Sequence, residues 1–380
     1  MEGLGLRHDL PPGDFGHFDA LFGGTYAGRR VLVTGHTGFK GSWLALWLHL
    51  MGARVFGLSL PQEEPCSHAK LLRLPIEEER LDLRERAQVV AALRRIEPEF
   101  VFHLAAQALV QRSYREPGLT FDTNVMGLVN LLDAVRATSS VRVVVNATTD
   151  KCYRNLNTPR GYTEADALGG HDPYSASKAC AEIVSNSYRA SFLAAGEGSG
   201  NVVALATARA GNVIGGGDWS QDRLVPDLVR AAVAGQVSAI RSPHATRPWQ
   251  HVLEPLAGYL LLGQRLRADP AACAQAWNFG PDTSGHATVG EVVQAFARHW
   301  PAVRCAFDPS GHPHEATLLH LDCSRARELL QWRPVWNLAT TLARTARWYL
   351  GHHERGAVAS ADDLVCYVAD VRSAGLAWAA

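Results

Sequence analysis

Residues 30–43 read RVLVTGHTGFKGSW and combine three patterns in a short space. The first five residues, Arg30 to Thr34, are mostly apolar and β-branched, which is typical of a strand buried on both faces. Three glycines follow at spacings of three, and the stretch from Ser42 to Met51 then has the composition of an apolar helix. We therefore expect a strand, a glycine turn and a helix in direct succession.

The glycine turn has the local structure that a dinucleotide pyrophosphate requires. Such a ligand needs a tight turn, close approach of the backbone and the free N–H groups of a helix N-terminus. The spacing is G-x-x-G-x-x-G, which differs from the G-x-G-x-x-G of ordinary Rossmann enzymes. A Walker phosphate loop is excluded because Lys40 precedes its glycine. The alternative is a packing turn without a ligand. The predicted cofactor-binding residues here are Gly35, Thr37, Gly38, Phe39, Lys40 and Gly41.

Strand and helix patterns alternate along the chain beyond this turn. Short strand-like runs recur near residues 55–58, 81–82, 100–104, 142–146 and 202–207. Helical patterns lie between them, near residues 84–96, 121–137 and 173–195. This alternation predicts an α/β fold with a parallel, doubly wound sheet.

The pattern of the chain changes from about Gly211, where glycine and proline interrupt shorter segments. A chain of 380 residues also exceeds what one hydrophobic core usually supports. We predict an N-terminal extension at 1–28, a cofactor-binding domain with the catalytic residues at 29–210, and a smaller C-terminal α/β lobe at 211–380. This last part binds the substrate and can cross back to the sheet. Residues 196–200 are predicted to form a surface loop from their composition.

The composition limits the classes of function. Lys plus Arg total 37 and Asp plus Glu total 37, so the formal net charge is zero, which argues against binding to nucleic acid or an anionic membrane. Apolar residues make up 47%, which favours a globular chain. No apolar run approaches the roughly 20 residues that cross a bilayer, and Met1 to Gly24 lack the apolar stretch of a signal peptide. The seven cysteines have no Cys-x-x-Cys spacing, which is typical of reduced thiols. We expect a cytoplasmic protein.

The end of the second strand does not determine which dinucleotide binds. An acid at this place would bind the adenosine ribose, and an arginine would accept a 2′-phosphate. Residues 57–62 read GLSLPQ and contain neither. The choice between NAD and NADP therefore stays open from this loop, and Asp82 and Leu83, after the third strand, are predicted to contact the adenine side.

A second motif opens the helix predicted from Pro173. Tyr174 and Lys178 are four residues apart and so share one helical face. A cation beside the phenol is expected to lower its pKa from about 10 towards neutrality, which would make Tyr174 a usable base.

Four features together resemble the extended short-chain dehydrogenase/reductase family, from about Arg30 to Leu350. They are the glycine spacing, the pair Tyr174 and Lys178, the segment Leu104-Ala105-Ala106-Gln107, and Asn124. The resemblance implies a Rossmann-type domain and a bound nicotinamide cofactor. It further implies that Leu104, Ala105, Ala106, Tyr174 and Lys178 contact the cofactor and that Gln107 and Asn124 contact the substrate.

A third motif, Thr149-Asp150-Lys151, lies at a strand end before the tyrosine helix. It resembles the CDP-glucose 4,6-dehydratase subgroup, whereas the other nucleotide-sugar 4,6-dehydratases carry Thr-Asp-Glu at this place. The blocks at 35–43, 209–219, 247–255 and 312–315 resemble the same subgroup. The resemblance implies CDP-glucose as substrate, bound NAD, a role in deoxysugar supply for surface polysaccharide such as an O-antigen, and a homodimer or homotetramer built partly from the helices carrying Asn124 and Tyr174.

The roles of the catalytic residues follow as hypotheses. Tyr174 takes the proton of the 4-hydroxyl, Thr149 binds that oxygen, and Asp150 acts as the acid for loss of the 6-hydroxyl, provided that its pKa is raised. Lys151 either removes the C5 proton or serves as the charge partner of Asp150, and the residues leave both roles open. Simple epimerases or reductases would not need the acid, and a non-catalytic dinucleotide sensor would need none of these residues.

Two further residues are predicted to bind the nucleotide diphosphate of the substrate. The family resemblance assigns this role to Asn212 and Arg247, and a planar guanidinium suits bidentate phosphate binding. A surface ion pair is the alternative for Arg247. The group His312, His314, His320 and Cys323 fits no standard zinc spacing, so no metal site is predicted.

Overall fold

The computed structural model describes residues 18–61, 66–193, 202–240, 242–282, 285–307 and 319–380. Its central feature is a seven-stranded sheet in which every neighbouring pair is parallel, in the order β3-β2-β1-β4-β5-β6-β11. The predicted α/β fold with a parallel, doubly wound sheet is confirmed. The strands of the sheet are β1 Arg30–Thr34, β2 Arg54–Ser59, β3 Glu77–Arg80, β4 Phe100–His103, β5 Val143–Ala147, β6 Ala204–Ala210 and β11 Ala276–Phe279.

Alternate residues of the strands enter two separate hydrophobic cores. In β1, Val31 and Val33 belong to one core, whereas Leu32 belongs to the other. Burial on both faces is the reason why these strands read as continuous apolar runs. One face of the sheet is covered by helices α3 Arg86–Ile96, α6 Gly127–Arg136 and α7 Pro173–Tyr188. The other face is covered by helices α1 Phe39–Leu50, α9 Leu253–Ala268 and α13 Ser360–Ser373.

The helices that accompany the sheet and the remaining part of the chain vary in length from one turn to five. They are α1 Phe39–Leu50, α2 His68–Leu72, α3 Arg86–Ile96, α4 Val110–Arg115, α5 Pro117–Phe121, α6 Gly127–Arg136, α7 Pro173–Tyr188, α8 Leu224–Val233, α9 Leu253–Ala268, α10 Pro270–Cys273, α11 Val289–His299, α12 Leu338–Arg355 and α13 Ser360–Ser373. A π-helical turn joins α5 to α6, and a second one extends α7 to Leu193. The predicted loop at 196–200 lies outside the described residues.

A third core lies beside the carboxyl edge of the sheet. It is formed by α8, α11 and α12, with residues such as Leu228, Phe296 and Leu342 fully buried. Three small two-stranded sheets flank it. Their strands are β7 Val213–Ile214 with β10 Gln250–His251, β8 Val237–Ile240 with β13 Arg304–Phe307, and β9 Thr246–Pro248 with β12 His286–Thr288.

The chain returns to the central sheet after β6. Helix α9 packs against β5 and β6, and β11 then pairs with β6 as the outermost strand. Near the other end, Phe22 stacks on Trp378 with ring centroids 4.6 Å apart. The boundaries at residues 28 and 210 stay predictions. Among the described residues, no helix is both long and apolar enough to cross a membrane.

Candidate active site

The predicted catalytic and cofactor residues meet at the carboxyl ends of the central strands. The glycine turn follows β1, the segment from Leu104 follows β4, and the segment from Thr148 follows β5. Tyr174, near the start of α7, hydrogen-bonds to Thr149 at the same edge. Neighbouring parallel strands end side by side, which brings together residues that are far apart in sequence.

Two positions of the glycine turn leave no room for a side chain. Gly35 has φ +72°, and a Cβ there would lie 2.7 Å from backbone atoms of Ala105. A Cβ on Gly41 would lie 2.1 Å from the carbonyl oxygen of Gly35. The residue before helix α1, Gly38, offers no side-chain cap to the first N–H groups of the helix. These donors and the absence of Cβ atoms fit a dinucleotide pyrophosphate, and Thr37 and Phe39 flank Gly38 in the same turn.

The segment after β4 forms a wall beside the glycine turn. The N–H of Leu104 donates to the carbonyl oxygen of Thr34 at 3.1 Å, and Ala105 lies against Gly35. Ala106 follows and is half-buried. The structure therefore brings this predicted cofactor segment to the glycine turn.

The end of β2 is flanked by charged residues of β3, which the sequence analysis missed. Arg80 Nη1 donates to Ser59 Oγ at 3.0 Å, and its Nη2 donates to Glu78 Oε1 at 2.6 Å. His36 Nε2 lies 2.9 Å from Glu78 Oε2, and this hydrogen bond lowers the pKa of Glu78. These residues were missed because the run Glu-Glu-Glu-Arg is polar and has none of the apolar residues by which the other strands were recognised.

Asp82 and Leu83 follow β3, which ends at Arg80 and not at 81–82 as predicted from the sequence. Three nitrogens of Arg84 donate to the Asp82 carboxylate, at 2.9, 2.9 and 2.6 Å, and these bonds lower the pKa of Asp82. Leu83 is buried, and its carbonyl oxygen accepts from Asn130 at 2.9 Å. Much of the hydrogen-bonding capacity of Asp82 is therefore used inside its own turn.

Asp150 is the buried carboxyl of the site, with 2% of its surface exposed. Thr149 Oγ1 donates to Asp150 Oδ1 at 3.0 Å, while Oδ2 has no partner among the residues that the structure describes. A Cβ on Gly211 would lie 2.8 Å from Oδ2, so this glycine keeps the oxygen clear. Burial raises the pKa of Asp150, against the lowering by Lys151 and Thr149, as a general acid requires.

Lys151 follows in the short 3-10 turn Asp150–Cys152 and is half-buried. Its N–H donates to Thr149 Oγ1 at 3.3 Å, and its positive charge lowers the pKa of Asp150 without overcoming the effect of burial. Lys151 thus lies beside the candidate acid, and its two predicted roles, as C5 base and as charge partner, stay predictions.

Tyr174 and Lys178 do not interact in the way that the sequence suggested. The expectation of a near-neutral phenol is wrong, because burial raises the pKa of Tyr174 to about 12, against a hydrogen bond with Thr149 that lowers it. Lys178 Nζ instead donates to the carbonyl oxygen of Ala147 at 3.1 Å. Burial also lowers the pKa of Lys178 to about 8, a value at which the amine is still mostly protonated at neutral pH.

Lys40 begins in the glycine turn, but its side chain reaches the catalytic residues. Its Nζ lies 3.5 Å from the hydroxyl of Tyr259 on α9. The charge of Asp150 acts on both Lys40 and Tyr259, which places them near that carboxyl. Arg223 also faces Tyr174 and is held by Asp218 at 3.0 Å. Tyr259 and Arg223 were not among the residues singled out in the sequence.

A buried ion pair supports the strand end that carries Thr149. Glu182 on α7 accepts from Thr148 Oγ1 at 2.5 Å, from Thr207 Oγ1 at 2.7 Å and from Arg209 Nη2 at 2.8 Å. Arg209 also donates to the hydroxyl of Tyr153 at 2.7 Å. These bonds join α7, β6 and the segment after β5.

Gln107 and Asn124 are bound to each other and to neighbouring protein groups. Asn124 accepts from the N–H of Gln107 at 2.8 Å, and its own amide donates to the Gln107 carbonyl at 3.0 Å and to Ser177 at 2.9 Å. The Gln107 side chain bonds to Leu109 and Thr120. Both amides thereby fix the segment after β4 to α7, and their predicted contact with substrate stays a prediction.

Asn212 and Arg247 lie on the side of the site formed by the third core. The Asn212 carbonyl accepts from the N–H of Gln250 at 3.3 Å, and Arg247 Nη1 donates to Thr246 O at 2.9 Å. The charge of Arg247 lowers the pKa of Asp150, so this guanidinium lies near the acid. The structure therefore brings the Arg247 guanidinium near the candidate acid, and the predicted contact of Asn212 and Arg247 with a substrate diphosphate stays a prediction.

The histidine-rich segment gives no metal site among the described residues. His312 and His314 lie outside them. His320 stacks on His286 with ring centroids 4.0 Å apart, and Cys323 accepts a hydrogen bond from Gly280 N at 3.1 Å. The described part of this segment is therefore engaged in packing.

The sequence of the chain is similar to those of dehydratases and epimerases that act on nucleotide sugars. A family model described as GDP-mannose 4,6 dehydratase matches residues 32–345. The chain is 46% identical over 327 residues to a CDP-glucose 4,6-dehydratase of Salmonella typhimurium, covering 85% of this chain and 91% of that protein. It is 28% identical to a UDP-glucose 4-epimerase of Mycolicibacterium smegmatis, covering 84% of this chain and 98% of that protein.

Solved structures share the fold over most of their length. A UDP-glucose 4-epimerase of Thermus thermophilus in complex with NAD has a TM-score of 0.72 and 25% identity, with 85% of this chain and 99% of that chain covered. A dTDP-glucose 4,6-dehydratase double mutant of Streptomyces venezuelae with NAD bound has a TM-score of 0.70 and 24% identity, with 86% and 98% covered.

Proposed function

The chain belongs to the GDP-mannose 4,6-dehydratase family, within the extended short-chain dehydrogenase/reductases, and from this membership we propose that it is an NAD-dependent hydro-lyase acting on CDP-glucose. The product is CDP-4-dehydro-6-deoxyglucose. The observation that carries the proposal is the buried Asp150 beside Thr149, with a raised pKa and one carboxylate oxygen that has no partner in the described part of the chain. An elimination needs such an acid, whereas a simple oxidation or epimerisation at C4 does not.

Each proton transfer of the proposed reaction is assigned to a residue of this chain. Tyr174 takes the proton from the 4-hydroxyl, and the Thr149 hydroxyl holds that oxygen as it becomes a carbonyl. The new carbonyl acidifies C5–H, and Asp150 protonates the 6-hydroxyl as it leaves as water. A nicotinamide cofactor held by the glycine turn, Leu104, Ala105 and Ala106 would supply the hydride acceptor for C4 and the hydride donor for C6. A proton returns to C5 when hydride reaches C6, so the net change is the loss of one water. The positive charge of the oxidised cofactor would favour the phenolate of Tyr174 against the effect of burial.

The base that removes the C5 proton is assigned to Lys151 as a proposal. The lysine directly follows Asp150 and is half-buried. If Lys151 is the base, Lys151→Met abolishes incorporation of solvent deuterium at C5 while C4 oxidation continues. Full incorporation in this variant would instead assign Lys151 as the charge partner of Asp150.

The cofactor and substrate are proposed to bind along the carboxyl edge of the sheet. The glycine turn, Leu104, Ala105 and Ala106 hold NAD, with Asp82 and Leu83 on the adenine side. Arg247 and Asn212 bind the diphosphate of the nucleotide sugar, because Arg247 supplies a cation near Asp150.

Isotope transfer tests the proposal directly. Incubation with CDP-[4-²H]glucose and NAD is expected to move the deuterium to the C6 methyl group of a 4-keto product. Retention of deuterium at C4 with inversion there would identify a 4-epimerase, and the absence of any reaction would overturn both enzymatic assignments. Parallel assays with dTDP-, GDP- and UDP-glucose test the preference for cytidine, which rests on the 46% identical relative.

We further propose a cytoplasmic homodimer or homotetramer that supplies deoxysugars for surface polysaccharide such as an O-antigen. Exposed apolar side chains on the helices that carry Asn124 and Tyr174 support the oligomer, because such residues are suited to a helix-to-helix interface. They are Phe121, Met126 and Ile183, with 36%, 49% and 58% of their surfaces exposed. The seven cysteines are unpaired, in keeping with a reducing compartment.

A further inference from the structure

His68, the first residue of α2, is a buried histidine outside the site described above, with 1% of its surface exposed. Both ring nitrogens are bound to serine hydroxyls. Nδ1 lies 2.8 Å from Ser42 Oγ on α1, and Nε2 lies 2.7 Å from Ser360 Oγ on α13. Burial lowers the pKa of His68 to about 3, so the ring is neutral at ordinary pH. Because a neutral imidazole has one N–H donor and one acceptor, His68 donates in one of these bonds and accepts in the other.

The indole of Trp348 determines which nitrogen of His68 carries the proton. Trp348 Nε1 can only donate, and it donates to Ser360 Oγ at 2.9 Å. The proton of the Ser360 hydroxyl is then directed to His68 Nε2, so the ring proton lies on Nδ1. Nδ1 donates to Ser42 Oγ, and Ser42 in turn donates to the carbonyl oxygen of Phe39 at 2.9 Å. These groups form one chain of hydrogen bonds with a single direction.

The chain of hydrogen bonds ends in the turn of α1 that carries the candidate donors to a pyrophosphate. Phe39 is the first residue of α1 and directly follows Gly38, whose carbonyl oxygen accepts from the N–H of Ser42 at 2.9 Å. The free N–H groups of a helix lie in its first turn. A histidine that holds Ser42 therefore restrains the turn whose donors fit the dinucleotide.

The same ring packs against a second glycine segment of the chain. A Cβ on Gly217 would lie 2.5 Å from Cδ2 of His68, so the ring fills the space that a side chain would need. Trp43 stacks on His68 with ring centroids 4.9 Å apart, and its Nε1 donates to the carbonyl oxygen of Gly216 at 2.9 Å. Trp43 belongs to a core of the sheet, whereas Trp348 belongs to the third core. His68 thus lies where α1 meets the C-terminal part of the chain.

We propose that His68 is a positioning residue for the cofactor: with its proton on Nδ1, it holds the first turn of α1 through Ser42 in the arrangement that binds the dinucleotide pyrophosphate. Helices α12 and α13, which supply Trp348 and Ser360, thereby contribute to cofactor affinity from the C-terminal part of the chain. The inference rests on the proposed function for the place where the dinucleotide binds.

The test compares two substitutions that each keep one half of the chain of hydrogen bonds. The side-chain amide of Asn reaches the place of Nδ1, and that of Gln reaches the place of Nε2. His68→Asn is therefore expected to keep the bond to Ser42 and to bind NAD within about twofold of wild type. His68→Gln keeps the bond to Ser360 alone and should bind NAD about tenfold more weakly, the scale of one lost hydrogen bond. Isothermal titration calorimetry without sugar substrate measures both constants.

Further variants separate this role from a general loss of structure. Ser42→Ala should weaken binding as much as His68→Gln, and the loss should be equal for NAD and ADP-ribose because both contain the pyrophosphate. His299→Gln, at an exposed histidine, should bind as wild type. Urea midpoints show whether each variant is folded, and ¹⁵N NMR of ring-labelled histidine, assigned with His68→Asn, reports the tautomer.

Three outcomes would overturn the inference. They are equal NAD affinities of His68→Asn and His68→Gln, wild-type affinity of Ser42→Ala, and a ring proton on Nε2 of His68 in the wild-type protein. Absence of NAD binding to the wild-type protein would overturn the inference together with the proposed function. A protein that binds NAD but does not convert CDP-glucose would refute the proposed function alone, because binding is measured without the sugar.

Discussion

At the scale of single residues, burial determines the chemistry that Asp150 can perform. An exposed aspartate is ionised at neutral pH and cannot donate a proton. Removal from water raises the pKa of Asp150 more than Lys151, Thr149 and Arg247 lower it. The neutral carboxylic acid is then the form that can protonate a leaving hydroxyl, and this form is lost as the pH rises through the raised pKa.

Replacing Asp150 with Asn is expected to separate the two halves of the reaction. The amide keeps the size of the side chain but supplies no proton, so elimination should slow by about 10²- to 10⁴-fold, the range for a positioned acid. Oxidation at C4 should continue, and bound NADH should accumulate. Stopped-flow absorbance at 340 nm measures this accumulation.

Asp362→Asn, at an exposed carboxyl, is the matched control and should turn over normally. Unchanged formation of the 4-keto-6-deoxy product by Asp150→Asn would show that another group supplies the proton.

Sequence patterns located the residues of the site better than they predicted their electrostatics. Tyr174 and Thr149 were predicted to act on the same substrate oxygen, and the structure joins the two side chains by a hydrogen bond. The pKa of Tyr174 was predicted in the wrong direction, because four-residue spacing shows that Lys178 shares its face but not that Ala147 takes its ammonium. Arg80 was missed because its approach to Ser59 depends on pairing between β2 and β3.

At the scale of elements, helix α7 is fixed to the sheet by charge as well as by apolar packing. Glu182 and Arg209 are 3% and 4% exposed along their side chains, and the pair joins the helix to β6. Removing one member of a buried pair costs more than the pair contributes, because the remaining charge stays buried without a partner. The same helix carries Tyr174, so its position bears on catalysis.

Glu182→Gln is expected to lower the free energy of unfolding by about 3–5 kcal/mol, the cost of an uncompensated buried charge. The amide of the variant cannot neutralise the charge of Arg209. Its NH₂ group would also face donors from which the native carboxylate accepts hydrogen bonds. Urea unfolding followed by circular dichroism measures the loss. Asn186→Ala, at an exposed position of the same helix, should change stability little. An identical urea midpoint for Glu182→Gln and wild type would refute the idea that this charge anchors α7.

The central strands were predictable from sequence because each is buried on both faces. The predicted run from Arg30 to Thr34 coincides with β1, and that from Phe100 ends within one residue of β4. The residues of β3 were harder to recognise, since an edge strand facing water has no apolar periodicity. The reason is different for β11, whose residues Ala276–Phe279 are mostly buried: it enters the sheet from a distant part of the chain by pairing with β6.

At the scale of the whole molecule, one buried carboxylate ties the sheet to the C-terminal part of the chain. Glu254, at the start of α9, accepts from the N–H groups of Val335 and Trp336 at 3.1 and 2.7 Å and from the Tyr367 hydroxyl at 2.7 Å. Its side chain thus joins three segments that are distant in sequence. Burial raises the pKa of Glu254 to about 7, against these hydrogen bonds, which lower it.

This shift makes the stability of the protein depend on pH. Below the unfolded value of 4.5 the carboxyl is protonated in both states, so the shift has no effect. As the pH rises from 4.5 to about 7, the unfolded chain releases the proton while the folded chain keeps it, and stability falls. A shift of this size corresponds to about 3 kcal/mol lost by pH 8, since each pKa unit is worth about 1.4 kcal/mol.

Glu254→Gln is expected to remove this slope. The amide oxygen can still accept from Val335 and Trp336, and the amide nitrogen can donate to the Tyr367 oxygen, so the three segments remain joined without a titrating group. The free energy of unfolding of wild type minus that of Glu254→Gln should therefore fall by about 3 kcal/mol between pH 4.5 and pH 8. Urea unfolding at several pH values measures the difference, and all other titrating groups cancel in it. Glu354→Gln, at an exposed carboxyl, serves as the control and should give a curve parallel to wild type. A parallel curve for Glu254→Gln would mean that the buried carboxyl stays ionised in the folded protein, held by its three donors.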